Sequence, residues 1–202
     1  MKEAAAPLPN KMERIGLYGG SFDPVHLGHL LVTQAAREEL KLDQIFFIPV
    51  AQSPFKPDAT PTAAEERLKM LRLALAGNSH AILDEQEIKR GGVSYTIDTV
   101  RDYARRFPSA KLFYLIGADH VAQLPKWRKA DELSKLVEFL IIPRPGESRT
   151  EIPAPFRGEF LSGFPLGVSS SQIRARLKAG LPVENLVPST VAEAIRNNRL
   201  YL

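Results

Sequence analysis

The 202-residue sequence contains no cysteine. This absence excludes disulfide bonds, thiolate metal ligands and a cysteine nucleophile, and it fits a reducing compartment. The sequence also has no apolar run of about 20 residues, so no membrane-spanning helix is predicted. Its first residues, MKEAAAPLPNKMER, lack the apolar segment of a signal peptide. We therefore expect a cytoplasmic protein without a membrane partner.

Long runs of one charge are missing as well. The chain has 27 Lys and Arg residues against 23 Asp and Glu residues, which gives a net charge of +4 and a pI near 9.4. The cations are scattered, whereas nucleic-acid binding usually needs a clustered basic face. We therefore expect an anionic small-molecule substrate and no nucleic-acid partner. The sequence leaves open whether the chain forms a homo-oligomer.

Enough apolar sequence is present for one sizeable core, because 44% of the residues are hydrophobic. We expect a loose N-terminal tail over residues 1–12 and a single domain over residues 13–202. Short apolar runs alternate with helical patterns along the domain. This alternation predicts an α/β fold, a Rossmann-like doubly wound parallel sheet flanked by helices, with a small helical part at the C-terminus.

The pattern also predicts the individual elements. The predicted strands are 15–18, 45–50, 81–83 with an extension over 87–90, 111–116, 137–142 and a broken strand within 160–168. The predicted helices are 27–40, 64–76 behind a capping box of Thr62 and Glu65, one opening at Ser94, a short segment before Trp127, 131–136, one from Ser169 to Lys178, and 188–198. The carboxyl ends of parallel strands meet at one edge, where ligands bind.

One glycine- and histidine-rich stretch, GGSFDPVHLGHL, lies between the first strand and the first helix. The positive end of a helix dipole and its free N–H groups collect anions at such a turn. Gly19 and Gly20 allow close approach of a phosphate or a positive φ angle, and Gly28 suggests a flat group packed on bare backbone. His26 and His29 share a helix face. Each feature alone is most often structural, and HExxH zinc spacing is absent.

This stretch resembles the [GT]xFDPxHxGH signature of nucleotidyltransferases related to class I aminoacyl-tRNA synthetases. The resemblance implies that both histidines bind the triphosphate of ATP and act on its α-phosphate as catalytic groups. It places Gly19, Gly20 and Gly28 at the nucleotide, together with Ser21 and Phe22, which lie between the glycines and the histidines. It implies no protein metal site; Mg²⁺ would be held mainly by the nucleotide phosphates.

A second motif, VSSSQIR, opens the helix that begins after Ser169 and resembles the ISSTxIR motif of the same superfamily. Hydroxyl and N–H donors at Ser169, Ser170 and Ser171, with Arg174 one turn further on, suit the β- and γ-phosphates of ATP. On local evidence alone, a serine N-cap with an exposed arginine explains the same residues. The pairing with the first motif favours the catalytic interpretation of Arg174.

Three further segments are similar to bacterial nicotinate-nucleotide adenylyltransferases. RGGVSYTIDT resembles their SYTIDT segment, and the backbone and hydroxyls at Tyr95 and Thr96 could receive a pyridine carboxylate. Gly117-Ala118-Asp119 resembles the GxD motif of the family, whose Asp is implied to hold ribose hydroxyls. Trp127 occupies the position of a tryptophan implied to stack on the pyridine ring.

Two positions depart from that family. The loop SPFK replaces a PPHK-like stretch, so Lys56 matches while Phe55 stands where a histidine is common. Arg128 follows Trp127 at a position that is often aromatic. Lys56 could reach the phosphates, and we include both Lys56 and Arg128 among the substrate-binding candidates. The alternative for Lys56 is a solvated surface lysine.

The resemblance implies adenylyl transfer from ATP to nicotinate mononucleotide, giving deamido-NAD and pyrophosphate, a step of NAD biosynthesis. A sister enzyme acting on nicotinamide mononucleotide or phosphopantetheine is the main alternative. A non-catalytic nucleotide-binding module is less consistent with an intact HxGH motif and an intact Arg174. The chain is too short for a tRNA synthetase and has no KMSKS loop.

Overall fold

The computed structural model describes residues 12–55, 61–143, 150–163 and 166–202. The β-strands are β1 (Arg14–Gly20), β2 (Gln44–Pro49), β3 (Ala81–Leu83), β4 (Lys111–Gly117), β5 (Glu138–Ile142) and β6 (Gly158–Phe160). The α-helices are α1 (Leu27–Leu40), α2 (Ala64–Leu75), α3 (Gln86–Arg90), α4 (Thr96–Arg106), α5 (Ala130–Leu136), α6 (Ser170–Lys178) and α7 (Ser189–Asn197). A 3₁₀ helix spans Ala118–Lys126.

Within these residues the strands form one all-parallel sheet in the order β3-β2-β1-β4-β5-β6. The first half of the chain builds outward from β1 in one direction, and the second half starts again on its other side at β4. The order therefore reverses between β1 and β4, where doubly wound folds bind their ligands. The fold class predicted from the sequence is confirmed.

Neighbouring residues on a strand face opposite layers of helices, because strand side chains alternate. Phe47, Phe113 and Leu115 pack with α1, α2, α6 and α7 on one face. Phe46 and Tyr114 pack with α4, α5 and the 3₁₀ helix on the other. The central strands β1, β2 and β4 are largely buried, as their continuous apolar runs indicated. Helices on both faces thus leave the carboxyl edge of the sheet open.

Several element predictions are wrong in instructive ways. Residues 87–90 belong to helix α3 rather than to an extended strand. No capping box forms at α2: its N-cap residue is Ala63, and the Thr62 N–H donates instead to the Asp23 carboxylate at 3.2 Å. Strand β6 is only three residues long, because the N–H groups of the following residues 162 and 163 bond the Glu39 carboxylate.

Helix α4 begins at Thr96 and not at Ser94. The Ser94 hydroxyl accepts a hydrogen bond from the Ala51 N–H at 3.0 Å, and Val93 forms an isolated bridge with Gln52. These contacts hold the chain extended and delay the helix by two residues. The start of α4 is thereby fixed against the loop that follows β2.

The N-terminal boundary remains a prediction over most of its length, because residues 1–11 lie outside the described ranges. Met12, which the prediction assigned to the tail, is buried in the core and only 8% exposed. None of the described helices is long and apolar enough to cross a membrane.

Candidate active site

A cavity of about 1060 Å³ opens at the carboxyl ends of β1 and β4. The strand topology brings both sequence motifs and the predicted acceptor segment to it. The sequence-predicted residues that line it are Gly19, Gly20, Ser21, Phe22, His26, Gly28, His29, Tyr95, Thr96, Gly117, Asp119, Trp127, Arg128, Ser169, Ser170, Ser171 and Arg174. Lys56 lies outside the described residues. These residues share one cavity wall, and their individual roles remain predictions.

The two histidines form a reciprocal cap at the start of α1. The His29 N–H donates to Nδ1 of His26 at 3.4 Å, and the His26 N–H donates to Nδ1 of His29 at 3.1 Å. The rings stack with their centroids 3.6 Å apart. Each Nδ1 therefore serves as an acceptor, and a neutral ring must carry its proton on Nε2.

Burial keeps both rings neutral. It lowers the pKa of His26 to about 4. Burial also lowers the pKa of His29 well below its usual value, and the charge of His26 acts in the same direction. Two neutral imidazoles with Nε2–H donors can hydrogen-bond a phosphate oxygen without taking a proton from solvent. This arrangement favours a role as hydrogen-bond donors over a role as cations for the two histidines.

Gly28 is required by the protein itself. A Cβ atom there would lie 2.9 Å from Cγ1 of Val168 and 3.0 Å from the imidazole of His26. The absence of a side chain at Gly28 thus makes room for the His26 imidazole. No flat ligand is needed to explain this glycine. Gly19 is explained similarly, because a Cβ would meet the Tyr114 hydroxyl; neither Gly19 nor Gly20 has the positive φ that the sequence allowed.

The second motif is joined directly to the first. Nη1 of Arg174 donates to the Asp23 carbonyl oxygen at 2.7 Å, and the Ser170 hydroxyl donates to the Pro24 carbonyl at 2.9 Å. These bonds fix the start of α6 against the loop that precedes α1. Two helix N-termini therefore face one cavity, an arrangement suited to a polyphosphate.

The three serines at the start of α6 differ in their contacts, although the sequence predicted that all three would donate to phosphate oxygens. Ser169 is the N-cap of α6 and forms the predicted capping box with Gln172. Its hydroxyl and that of Ser170 are engaged inside the protein, and the Ser171 hydroxyl accepts from Arg174 at 3.4 Å. The first-turn backbone N–H groups of α6, with Arg174, remain the donors best placed for phosphate oxygens.

Tyr114 lines the cavity, although the sequence indicated only a buried strand residue. Its side chain is hydrogen-bonded to Thr96 at the start of α4, and its ring lies 6.4 Å, centroid to centroid, from that of Trp127. Burial raises its pKa, and the nearby carboxyl of Glu87 adds to the rise. Tyr114 therefore connects the predicted phosphate-binding turn at Gly19 to the predicted acceptor segment.

Trp127 is surrounded by aromatic rings. Its ring centroid lies 5.6 Å from that of Phe55, 6.3 Å from His120 and 6.0 Å from Phe139. Its buried indole N–H has no hydrogen-bond partner within the described residues. The half-exposed Phe55 supplies a second aromatic surface at the cavity. It stands at the position where the PPHK-like stretch has histidine.

Comparison with known proteins finds relatives along nearly the whole chain. Residues 17–176 match the Cytidylyltransferase-like family. A probable nicotinate-nucleotide adenylyltransferase of Opitutus terrae is 40% identical over 191 residues, covering 93% of this chain and 97% of that protein. The nicotinate-nucleotide adenylyltransferase of Bacillus subtilis is 40% identical over 190 residues, covering 94% and 99%.

The chain belongs to the nicotinate-nucleotide adenylyltransferase family. Among solved structures, Plasmodium falciparum nicotinic acid mononucleotide adenylyltransferase complexed with NaAD matches with a TM-score of 0.79, over 94% of this chain and 97% of that chain. The two are only 20% identical, so this likeness concerns the fold.

In this nicotinate-nucleotide adenylyltransferase family member, two buried charged residues near the site were not predicted from the sequence, as Tyr114 was not. Arg67 is 2% exposed and donates to the carbonyls of Ser21 and Val50, which closes the ends of β1 and β2. Glu87 is also 2% exposed and accepts from Thr99 at 2.5 Å. Their partners are distant in sequence, so no local pattern reveals that these residues are buried.

Glu87 also contributes to the cavity wall. Burial raises the pKa of its carboxyl, against the opposing effect of the Thr99 and Ser94 hydroxyls. One carboxyl oxygen, Oε2, has no hydrogen-bond partner among the described residues. The wall of the predicted acceptor segment thus contains a buried carboxyl whose pKa is raised.

Proposed function

We propose that this chain transfers the adenylyl group of ATP to the 5′-phosphate of nicotinate mononucleotide. An oxygen of that phosphate attacks the α-phosphorus of ATP, the bond from the α-phosphorus to the β-phosphate oxygen breaks, and pyrophosphate leaves with the electron pair. The products are deamido-NAD and pyrophosphate. The observation that carries the proposal is one cavity that is lined both by the N-termini of α1 and α6 and by the aromatic side chains around Trp127.

The phosphate end of the cavity would stabilise the negative charge of the ATP phosphates during transfer. His26 and His29 would donate Nε2–H bonds to the α-phosphate oxygens, where negative charge redistributes during attack. Arg174 and the N–H groups of Ser170 and Ser171 would bind the departing pyrophosphate. The attacking phosphate is already ionised at neutral pH, so no general base is needed.

The acceptor end of the cavity would hold nicotinate mononucleotide in position for the attack. Trp127 would stack on the pyridine ring, and the N-terminus of α4 at Tyr95 and Thr96 would receive its carboxylate. Gly117, the last residue of β4, and Asp119, which follows that strand, would contact the ribose hydroxyls. Holding the two substrates in line accounts for much of the expected rate enhancement.

Magnesium would enter with ATP. The described residues contain no group of three or more His, Asp or Glu side chains that could hold a metal ion. The ion would be bound mainly through phosphate oxygens and water, which is usual for Mg²⁺. It would neutralise phosphate charge. Lys56 remains a predicted phosphate contact.

The test measures pyrophosphate release from ATP with nicotinate mononucleotide and, separately, with phosphopantetheine, and identifies the product by mass. We expect deamido-NAD from the first acceptor and no release with the second, because phosphopantetheine has no ring to stack on Trp127. Activity with phosphopantetheine alone would assign the chain to the sister reaction.

The variant Trp127→Ala refines this test. Loss of stacking should raise KM for the mononucleotide roughly fivefold to tenfold, while KM for ATP stays nearly constant. Trp127→Phe is the matched control, because it keeps an aromatic face. Equal effects of Trp127→Ala on both substrates would contradict the stacking role.

A further inference from the structure

Arg128 occupies an unusual position beside the acceptor pocket. Its Cζ atom lies 4.5 Å from the centroid of the Tyr95 ring, and its Nη1 atom lies 4.0 Å from the Asp98 carboxylate. Tyr95 is the N-cap residue of α4, so the guanidinium is held at the start of that helix. Arg128 and Tyr95 both line the cavity, whereas Asp98 does not.

The guanidinium retains hydrogen-bonding capacity. Among the described residues, the guanidinium makes a cation–π contact with the Tyr95 ring and a long ion pair with Asp98, and neither contact is a hydrogen bond. Asp98 is shared with Arg101, whose Nη1 lies 3.8 Å away. An arginine has five N–H donors in a planar fork, so Arg128 can still bind a carboxylate through two of them.

The cavity wall also contains a buried carboxyl and the N-terminus of α4. Burial raises the pKa of Glu87, the buried carboxyl of this wall. Its Oε2 atom is buried and has no hydrogen-bond partner within the described part of the chain. The N–H groups that open α4 add a partial positive charge.

We propose that Arg128 selects the charge of the pyridine substituent, so that a mononucleotide bearing a carboxylate is used in preference to one bearing a carboxamide. This inference rests on the proposed function. The two substituents have nearly the same size, and helix N–H groups can bond an oxygen of either. A guanidinium distinguishes them, because a carboxylate accepts two charged hydrogen bonds, whereas a carboxamide turns an NH₂ donor towards the same cation.

The experiment compares nicotinate mononucleotide with nicotinamide mononucleotide as acceptors for wild type, Arg128→Gln and Arg128→Lys. Arg128→Gln should lower kcat/KM for the nicotinate substrate about 10- to 100-fold, as expected for loss of hydrogen bonds to a charged group. Its kcat/KM for the nicotinamide substrate and its KM for ATP should change little. Arg128→Lys should fall in between, because it keeps the charge but loses the planar fork.

Lys135→Gln is the matched control. Lys135 is exposed on α5 and does not line the cavity, so its loss removes one positive charge without touching the substrate. Equal losses of Arg128→Gln on both mononucleotides, or no loss on either, would overturn the selectivity role while leaving adenylyl transfer intact. A wild-type protein that uses neither mononucleotide would overturn the proposed function itself, and the inference with it.

Discussion

The reciprocal cap at His26 and His29 allows the structural and chemical roles of one histidine to be separated. Asparagine is among the best N-cap residues and can accept a hydrogen bond at the position of Nδ1, but it has no atom at the position of Nε2. His26→Asn should therefore keep the cap and lose the phosphate donor. His26→Ala should lose both.

The expected magnitudes differ for the two properties. Removing one preorganised oxyanion donor typically lowers kcat about 10²- to 10³-fold, and we expect this loss in both variants. Losing a side-chain cap costs about 1 kcal/mol of unfolding free energy, and we expect that cost in His26→Ala alone. Steady-state kinetics and urea denaturation at pH 7.5 measure the two quantities on the same preparations.

The pH dependence of stability gives a further check. The pKa of His26 is about 4 in the folded protein and near 6.5 when the ring is solvated. The unfolded chain therefore takes up a proton first as the pH falls, and this ring should reduce the stability of the wild type by about 2 kcal/mol between pH 7.5 and 5. His26→Asn lacks this contribution, so the wild type should lose stability relative to the variant as the pH falls.

Two results would refute this account. Wild-type turnover by His26→Asn would show that Nε2 is not needed. A wild-type kcat that falls as the pH rises from 6 to 8, with saturating substrates, would show that a cationic imidazole is required and that the rings are not held neutral.

Three other perturbations test neighbouring features. Gly28→Ala places a Cβ 3.0 Å from the ring of His26 and should lower kcat about 10- to 100-fold in steady-state assays, since the ring must move. Burial raises the pKa of Glu87, so wild-type stability falls as the pH rises through the usual glutamate range; Glu87→Gln should be more stable relative to wild type at pH 8 than at pH 4.5 in urea titrations. Arg174→Lys should lower kcat about 10²-fold, because lysine cannot bridge the loop and the phosphates together, whereas the control Arg176→Lys on the same helix should not.

The strongest sequence signals were those in which local and tertiary requirements coincide. Helix α1 was predicted with its observed bounds, Leu27–Leu40, because its apolar spacing lies within one continuous segment. The capping box that opens α6 was predicted for the same reason. The parallel sheet followed from alternation of elements, and its topology placed both motifs at one edge.

Features that depend on distant partners could not be predicted in this way. Helix α3 is five residues long, too short for a clear periodicity, and Glu87 within it is bonded to Thr99 on another helix. Arg67 is buried because it satisfies strand-end carbonyls that only the folded sheet brings together. In the sequence, Tyr114 looks like its apolar neighbours in β4. Only the folded structure shows that its hydroxyl lies against Gly19.

Trp127 is the single tryptophan of the chain, and its ring lies against Phe55, Tyr114 and Phe139 within the predicted acceptor pocket. Indole emission excited near 295 nm therefore originates from one known place. A change in its intensity or wavelength on adding a mononucleotide would report occupancy of that pocket directly, with no label and no turnover. The molecule thus carries its own optical probe of acceptor binding.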